Sequence, residues 1–411
     1  MKRSLSPGWL LFILTGLNLF NYLDRAVLAA VLPPLRAELH LNNEQGGTTY
    51  TAFMIGYFIT APFFGVLGDR ASRKWLIALG IFVWSVGTVL TGFATTFTAL
   101  IAFRVLVGVG EASYATISPS IISDKFSGPK RNTALTIFYV AIPVGSALGY
   151  VVAGAIAHHS TWRHAFIWAG APGLLLALLL LPFAEPERST SEIHDKPTPR
   201  DVLQLFRLPN YMLVVLGYTA YTFALGAFQH WSASFLNEQR GLALADADSF
   251  FGGSLAIAGL IGTFVGGMIA TAWQKKTRAG YALLSGLSVA VSVPLAFGAF
   301  AVHDAHASMA LLALAMLFIF FSTGPVNTLI LENAPAHMRA SAMAVSIFMI
   351  HLFGDLWSPK IVGRIADASS LGRAVLILPA ALAVASIFWL TLAARSKWAA
   401  PSSQQVQSHV A

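Results

Sequence analysis

The chain has 411 residues, of which 56% are apolar and only 11% are charged. Soluble globular chains carry about 25% charged residues, so water cannot be the only solvent for this surface, and lipid must cover much of it. The absence of cysteine excludes disulfides, thiolate metal sites and thiol catalysis. A net charge of +8 would suggest nucleic acid binding in a soluble protein, but membrane topology also concentrates basic residues.

Apolar stretches long enough to cross a bilayer, about 20 residues each, follow one another along the chain. We therefore predict an all-α, polytopic membrane protein with twelve transmembrane helices in two six-helix halves. The predicted spans are 9–33, 48–67, 75–94, 98–119, 133–157 and 164–183, then 210–236, 249–272, 280–300, 308–331, 341–363 and 373–394. The predicted domains are an N-terminal half, a cytoplasmic linker, a C-terminal half and a disordered cytoplasmic tail, at 1–184, 185–207, 208–395 and 396–411.

The basic residues are distributed unevenly between the loops. Most of the 26 Lys and Arg residues fall in segments on the same side as the N-terminus, which places both termini in the cytoplasm. This asymmetry explains the positive charge without a nucleic acid partner. Lys2 and Arg3 before an apolar run imitate a signal peptide, but no small-residue cleavage site follows, so we expect the segment to be retained.

Spans 1 and 4 carry charged residues within apolar sequence. Asp24 and Arg25 lie in span 1, and Arg104 and Glu111 lie in span 4. Burying such groups in a bilayer is costly, so each is a functional candidate. At about 1.5 Å per residue, Asp24 and Arg104 reach similar depths and could pair. Arg104 and Glu111 share one helical face with Gly108.

The loop between spans 2 and 3 holds the most specific motif, because residues 65–74 fit the pattern G-x-x-x-D-R-x-x-R-K. Through this motif the chain resembles the major facilitator superfamily, which implies a transporter with its site between the two halves. We expect Gly65 to allow close helix approach. Asp69 can pair with a basic residue or a facing helix N-terminus and, with Arg70 and Arg73, latch the halves in one state. The alternative is a basic turn with an incidental acid.

The intramembrane charges can form a proton-coupling set. In this hypothesis Asp24 and Glu111 exchange protons, and Arg104 biases their protonation. An acid near arginine stays ionised, whereas an acid freed into an apolar cavity takes up a proton. The alternative is a structural ion-pair network. Arg25, about 100° around the helix from Asp24, would either bind a substrate anion or pair with an acid.

Further segments resemble the Spinster family of lipid transporters. They are residues 21–25, 110–114, 119–124, 137–139, 142–150, 351–355 and 358–359. The resemblance implies a lysophospholipid or sphingosine-1-phosphate-like substrate, and a functional acid and arginine at Asp24 and Arg25 with a second acid at Glu111. Segment 21–25 also occurs in organic-anion symporters, so a small organic anion is the alternative substrate. Short loops and compact tails are typical of bacterial proteins, which places the chain in a bacterial inner membrane.

The two walls of the expected cavity differ in chemistry. The first half carries the charges, whereas spans 7 and 10 supply aromatic residues, namely Tyr218, Tyr221, Phe223, Phe228, Trp231, Phe318, Phe320 and Phe321. An amphipathic substrate would direct an anionic head to Arg25 and a tail to spans 7 and 10, unless these aromatic residues face lipid. The expected substrate contacts are Arg25, Asn21, Tyr22, Tyr139, Tyr218, Tyr221 and His351.

Other residues allow two interpretations each. His351 and Asp355 share a helical face and form either a protonation switch or a satisfied buried pair, and Asp355 could also neutralise Lys360. Within span 5, Pro143, Gly145 and Gly149 either let the helix bend or serve packing. The outer histidines His158, His159 and His164 lack a ligand pattern, so we expect no metal site.

Other classes of protein fit the sequence less well. No nucleophile–base constellation or nucleotide cradle is evident, so we expect neither an enzyme nor a cofactor. A receptor or scaffold would not require the charges of spans 1 and 4. The expected partners are a small-molecule or lipid substrate, protons and membrane lipids, with no nucleic acid, and the expected state is a monomer.

Overall fold

The computed structural model describes residues 6–126, 128–180, 199–335 and 338–398, and all regular structure in these ranges is helical. The first part of the chain forms α1 (Pro7–Ala30), α2 (Leu32–Glu38), α3 (Asn43–Arg70), α4 (Arg73–Gly92), α5 (Phe97–Lys125), α6 (Gly128–His159), α7 (Trp162–Leu180) and α8 (Pro199–Leu205).

The second part of the chain is divided into more helical pieces. They are α9 (Pro209–Arg240), α10 (Leu244–Ile257), α11 (Thr263–Gln274), α12 (Gly280–Ala301), α13 (Ala305–Phe320), α14 (Thr323–Glu332), α15 (Arg339–Ile350), α16 (Ser358–Ala368), α17 (Leu371–Ala374) and α18 (Ile377–Trp398). A π-helical segment, Ala258–Gly262, joins α10 to α11, and a second, His351–Asp355, precedes α16. In a π-helix the hydrogen bonds run from residue i to i+5, so each segment widens its helix locally.

Ten helical stretches in the described ranges are long and apolar enough to cross a membrane. They coincide with ten of the predicted spans, and the prediction of an all-α, multi-pass membrane protein is confirmed. The remaining predicted spans, 9–33 and 164–183, overlap α1 and α7 within the described ranges. The total of twelve spans therefore stays a prediction.

The linker and the tail are only partly described. Residues 181–198 and 399–411 lie outside the described ranges. The described end of the predicted linker is helical, since α8 forms there and buries Leu205. The start of the predicted disordered tail is helical as well, because α18 continues to Trp398.

Span 5 favours the packing interpretation of its small residues. Helix α6 continues through Pro143 without interruption and packs along α1. A methyl group added at Gly145 or Gly149 would overlap the carbonyl oxygen of Leu19 or Leu23 on α1. These two glycines therefore allow the backbones of α1 and α6 to approach closely.

The two ends of the bundle differ in how the halves meet. We call the end with the basic loops the inner end and the opposite end the outer end. At the outer end, α10 packs on α6 and α16 packs on α3. The inner continuations of the same spans, α11 and α15, pack mainly on α12, α14 and α9 of their own half. The halves are thus closed against each other on the outer side and diverge towards the inner side.

Candidate functional site

The bundle contains an ion pair between α1 and α5. Nε of Arg25 donates to Oε2 of Glu111 at 2.5 Å. Glu111 is fully buried, whereas 21% of the Arg25 side chain is exposed. The rings of Tyr22, Phe53 and Tyr57 surround the guanidinium, with centroids 4.7–5.1 Å from its central carbon. These cation–π contacts stabilise a positive charge that a ligand can still reach.

Asp24 is buried on an adjacent face of α1. One of its carboxylate oxygens accepts a hydrogen bond from the Thr88 hydroxyl of α4, and the other has no partner among the described residues. The residue is 1% exposed. Sequence reasoning missed Thr88, because one threonine in an apolar helix carries no distinguishing signal.

The expected pair between Asp24 and Arg104 is not formed. No ion pair within 4.0 Å joins them in the described structure, and Arg25 instead pairs with Glu111. Helix α1 turns by about 100° per residue, so it directs Asp24 to α4 and Arg25 to α5. Arg104 is buried, with the central carbon of its guanidinium 5.2 Å from the Phe53 ring centroid, and its Nε and Nη1 have no hydrogen-bond partner in the described ranges.

The remaining predicted contacts of the first half differ in exposure. Asn21 is fully buried, and neither its amide oxygen nor its amide nitrogen has a partner among the residues described. Tyr22 is partly exposed and lies over Arg25. Tyr139 is 48% exposed and contacts the ring of Phe138. Asn21 and Tyr22 therefore adjoin the charged centre, whereas Tyr139 lies on the open surface of α6.

The predicted aromatic residues of span 7 fall into two groups. Tyr218 is partly buried and its ring lies 5.9 Å from that of Tyr221, whose hydroxyl donates to the carbonyl of Ile319 at 3.3 Å. Phe228 and Trp231 are fully buried in a hydrophobic core to which both halves contribute. The prediction that these last two face a cavity, and the alternative that they face lipid, are both wrong.

His351 and Asp355 occupy one π-helical segment. Nδ1 of His351 lies 2.9 Å from Oδ1 of Asp355, and 31% and 11% of the two side chains are exposed. Asp355 does not pair with Lys360, whose Nζ instead lies 3.8 Å from Oε1 of Glu44 on α3. The histidine–carboxylate pair thus belongs to the second half alone, and Lys360 belongs to the contact between the halves.

The inner motif is organised by an ion pair within the first half. Arg73 is buried and donates to Asp124, at the inner end of α5, at 2.5 Å. Among the described residues, a methyl group added at Gly65 would meet only the side chain of Thr116 on α5, at 3.8 Å, so the prediction that Gly65 is needed for close helix approach is wrong in this state. Arg70 is exposed. The side chain of Asp69 lies outside what the structure describes. The Arg73–Asp124 pair positions the loop, and a latch between the halves stays a prediction.

The outer end carries a clamp that the sequence did not reveal. The carboxylate of Asp367, near the end of α16, accepts hydrogen bonds from the backbone N–H and side-chain amide of Asn43 at 2.8 and 2.7 Å, and from the backbone N–H of Glu44 at 2.7 Å. Glu44 also lies 3.8 Å from Lys360 and 4.0 Å from Arg364. An acid from one half thus caps the N-terminus of a helix in the other, where the helix dipole favours negative charge.

Close backbone contact completes the outer clamp. A methyl group added at Gly47 would overlap the carbonyl of Pro359, and one at Gly363 would overlap the carbonyl of Asn43. Arg36 of α2 and Glu238 of α9 form a further ion pair between the halves at 3.1 Å. A charge at the end of a span is normally only a solvated terminus, so no sequence pattern distinguishes these residues.

A shallow groove, open on one side, lies along one face of the inner part of span 8. Its lining extends from Thr263 to Lys276 and combines apolar side chains such as Phe264 and Met268 with Lys275 and Lys276 at the inner end. The charged centre of α1 and α5 is not part of this lining. Among the described residues, no group of three or more His, Asp or Glu side chains could hold a metal ion.

Comparison with known proteins identifies the family. The sequence profile of the Major Facilitator Superfamily matches residues 14–359. Protein spinster of Drosophila melanogaster is 35% identical over 87% of this chain, which spans 61% of that protein's length. The probable sphingolipid transporter spinster homolog 1 of Arabidopsis thaliana is 30% identical over 94% of this chain and 89% of its own length.

A solved structure shows the same fold. It is the crystal structure of a bacterial homologue of the human lysosomal transporter Spinster, in an inward-facing and unoccupied conformation. The TM-score is 0.84 at 22% identity, over 96% of this chain and 99% of that one. The family and the fold are those of transporters, and the chain belongs to the Spinster-like branch of the major facilitator superfamily.

Proposed function

We propose that the protein is a proton-coupled secondary transporter that moves an amphipathic, lysolipid-like substrate by alternating access. The observation that carries this proposal is the cluster of Arg25, Glu111, Asp24 and Arg104, which is held within an apolar bundle. A single charge at the centre of a bilayer costs about 3 kcal/mol. Four such groups in one place indicate a function that needs charge there.

Proton transfer would act through competition for Arg25. While Glu111 is ionised it holds Arg25 at 2.5 Å. When Glu111 takes up a proton, that charge–charge attraction is lost, and the guanidinium becomes available to an anionic head group. Asp24 is a second proton acceptor. Because it accepts a hydrogen bond from Thr88 on α4, its protonation state would affect the contact between α1 and α4.

Alternating access is supported by the unequal ends of the bundle. The Asp367 clamp holds the halves together on the outer side. On the inner side, α11 and α15 pack mainly within their own half, although the rings of Phe58 on α3 and Phe348 on α15 lie 4.9 Å apart. The charged centre would therefore communicate with the inner side in this state. The opposite state would require the outer clamp to open.

The amphipathic nature of the substrate rests on two observations. Arg25 offers a cation to an anionic group, and the groove beside Phe264 and Met268 offers apolar surface ending at Lys275 and Lys276. The name of the Arabidopsis relative, a probable sphingolipid transporter, agrees with a lipid substrate. A small organic anion is the second candidate, because the aromatic rings of Tyr22 and Phe53 leave only a compact space around the guanidinium.

Flux into proteoliposomes tests this proposal. Purified protein would be assayed with a labelled lysophospholipid and with a labelled sugar acid, with and without a pH gradient. We expect lysophospholipid flux that the gradient increases, and loss of the gradient effect in Glu111→Gln and Asp24→Asn. Glu38→Gln is the matched control, because Glu38 also pairs with an arginine, Arg163, but at the outer surface. Unchanged gradient dependence in both site variants would exclude proton coupling, and flux of the sugar acid alone would exclude a lipid substrate.

We further propose that the protein lies in a bacterial inner membrane as a monomer with both termini cytoplasmic. The orientation follows from the basic inner loops. Because the chain has no cysteine, a single cysteine placed near either terminus can be labelled from one side of right-side-out vesicles. Labelling by an impermeant reagent added outside would contradict this topology.

A further inference from the structure

Asp248 is a buried acid that the proposed mechanism does not use. It lies in the first turns of α10 and is fully buried. Neither carboxylate oxygen has a hydrogen-bond partner among the described residues. A buried polar group without a partner is strongly unfavourable, and an unpaired charge far more so. Such a residue is retained in an apolar helix only at a cost to stability, which suggests that it has a function.

The position of Asp248 is the contact between the two halves. A methyl group added at Gly154 of α6 would lie 2.6 Å from Oδ2 of Asp248, so the acid packs directly on the backbone of the other half. One turn along, a methyl group added at Gly252 would lie 2.8 Å from the carbonyl oxygen of Ala147. The small residues of α6 and α10 thus enclose the carboxyl when the outer ends are closed.

The surroundings of Asp248 contain no compensating cation. The ionisable group that faces Asp248 from α6 is Tyr150, whose hydroxyl already donates a hydrogen bond to the carbonyl of Gln229 on α9. In the described structure, α9 and α13, which also pack on α10, place no charged group against it, and it forms no ion pair within 4.0 Å. A neutral, protonated carboxyl is the form that this enclosure accepts.

We propose that Asp248 is a second proton-binding site, distinct from Asp24 and Glu111, that must be loaded before the outer ends can close. Opening of the outer side would separate α10 from α6 and expose the carboxyl to the outer solution, where it releases the proton. Closure would take a proton up from the same side. This inference rests on the alternating access of the proposed function, but it does not depend on the substrate or on coupling at Glu111.

The proposal has a defined pH dependence. Because closure binds one proton, the ratio of outer-closed to outer-open protein should rise up to about tenfold for each unit that the pH falls, wherever the exposed carboxyl is ionised. A low outer pH would therefore favour the closed state described here. The effect should be present in protein that cannot exchange protons at the α1–α5 site.

Distance measurements between spin labels test this prediction. The chain has no native cysteine, so labels can be attached to cysteines replacing the exposed residues His159 and Ala243, at the outer ends of the two halves. The background is Asp24→Asn with Glu111→Gln, reconstituted in lipid nanodiscs. We expect long distances to replace short ones as the pH rises. Adding Asp248→Asn, which resembles the protonated acid in shape, should leave short distances at every pH.

A matched control and an independent readout make the result decisive. Asp246→Asn removes an exposed acid from the same helix and should preserve the pH response. Infrared spectra of the parent should contain a protonated-carboxyl band that Asp248→Asn lacks, and this measurement decides the matter if the labelled variant does not fold. An unchanged pH response in Asp248→Asn, no pH response in the background protein, or absence of the band would each overturn the proposal. Flux that does not depend on Asp24 and Glu111 would overturn only the proposed coupling.

Discussion

The outer and inner ends of the molecule are held together by different kinds of contact. At the outer end, the bonds of Asp367 and the close approach at Gly363 join one half to the other. At the inner end, the pair between Arg73 and Asp124 joins helices of the same half. Under the proposed alternating access, contacts between halves form and break in each cycle, whereas contacts within a half can persist. Residues of the outer clamp should therefore control the distribution of states, and Arg73 should control the stability of one half.

The largest effect is expected at the glycine contact. Gly363→Ala would place a methyl group on the carbonyl of Asn43, and overpacking of this kind costs about 2 kcal/mol. The outer-closed population should fall roughly 30-fold relative to the open one, measured as the distance between spin labels on the outer ends. Gly267→Ala is the control, because a methyl group there meets nothing within 4 Å. A closed state that tolerates Gly363→Ala would show that the outer ends do not meet at this contact.

The carboxylate of the clamp should have the next largest effect. Asp367→Ala removes three hydrogen bonds between the halves, and at this exposed position we expect a loss of about 1–2 kcal/mol. The outer-closed population should fall roughly tenfold. Asp304→Ala removes an acid that caps α13 within one half. Asp304→Ala should lower the melting temperature and leave the distances between the outer spin labels unchanged. An equal change of these distances in both variants would contradict the distinction between contacts that join the halves and contacts within one half.

Asp69→Asn should act in the opposite direction. If Asp69 latches the inner ends when the outer ends are open, loss of its charge weakens the outward-facing state. A negative charge at a facing helix N-terminus contributes about 1 kcal/mol, so the outer-closed population should rise about fivefold. The same pair of outer labels measures this change. A fall in the outer-closed population would contradict an inner latch at Asp69.

The smallest effect is expected at the surface pair of α2 and α7. Hydrogen bonds from Arg163 and Trp162 lower the pKa of Glu38, so the stabilisation is present above the pKa of the unfolded chain and is lost as the pH falls through the folded value. Glu38→Gln should cost about 0.5 kcal/mol at neutral pH and nothing at strongly acidic pH, as measured by thermal unfolding. A difference that persists in acid would show that packing of Trp162, and not the charge, stabilises this end.

The sequence predicted the helices well because membrane helices depend on local composition. A span must be apolar over about 20 residues whatever its neighbours are, so the predicted span 75–94 matches Arg73–Gly92 closely. The intramembrane charges were also evident, since Asp24, Arg104 and Glu111 interrupt apolar stretches. Their spacing along a helix fixes which face they share.

The partners of these charges could not be predicted in the same way. Asp24 and Arg25 lie at nearly the same depth along α1, so depth alone could not decide which of them pairs with span 4. The rotation of α1 about its own axis decides it, because this rotation turns Asp24 towards α4 and Arg25 towards α5. The outer clamp depends on contacts between residues more than 300 positions apart, such as Asn43 and Asp367. No periodicity within a single helix reports such a contact.

The π-helical segment His351–Asp355 has a consequence for the evolution of this chain. A π-turn accommodates one residue more than an α-turn, whereas a residue added to a regular α-helix rotates everything after it by about 100°. The wider turn therefore absorbs one extra residue and preserves the side of α16 on which Gly363 and Asp367 meet α3. Deleting a single residue within the segment would restore a regular α-helix and leave the clamp facing its partner. The same deletion between this segment and Gly363 would turn the clamp away, so a one-residue deletion should be tolerated in the π-helical segment and selected against after it.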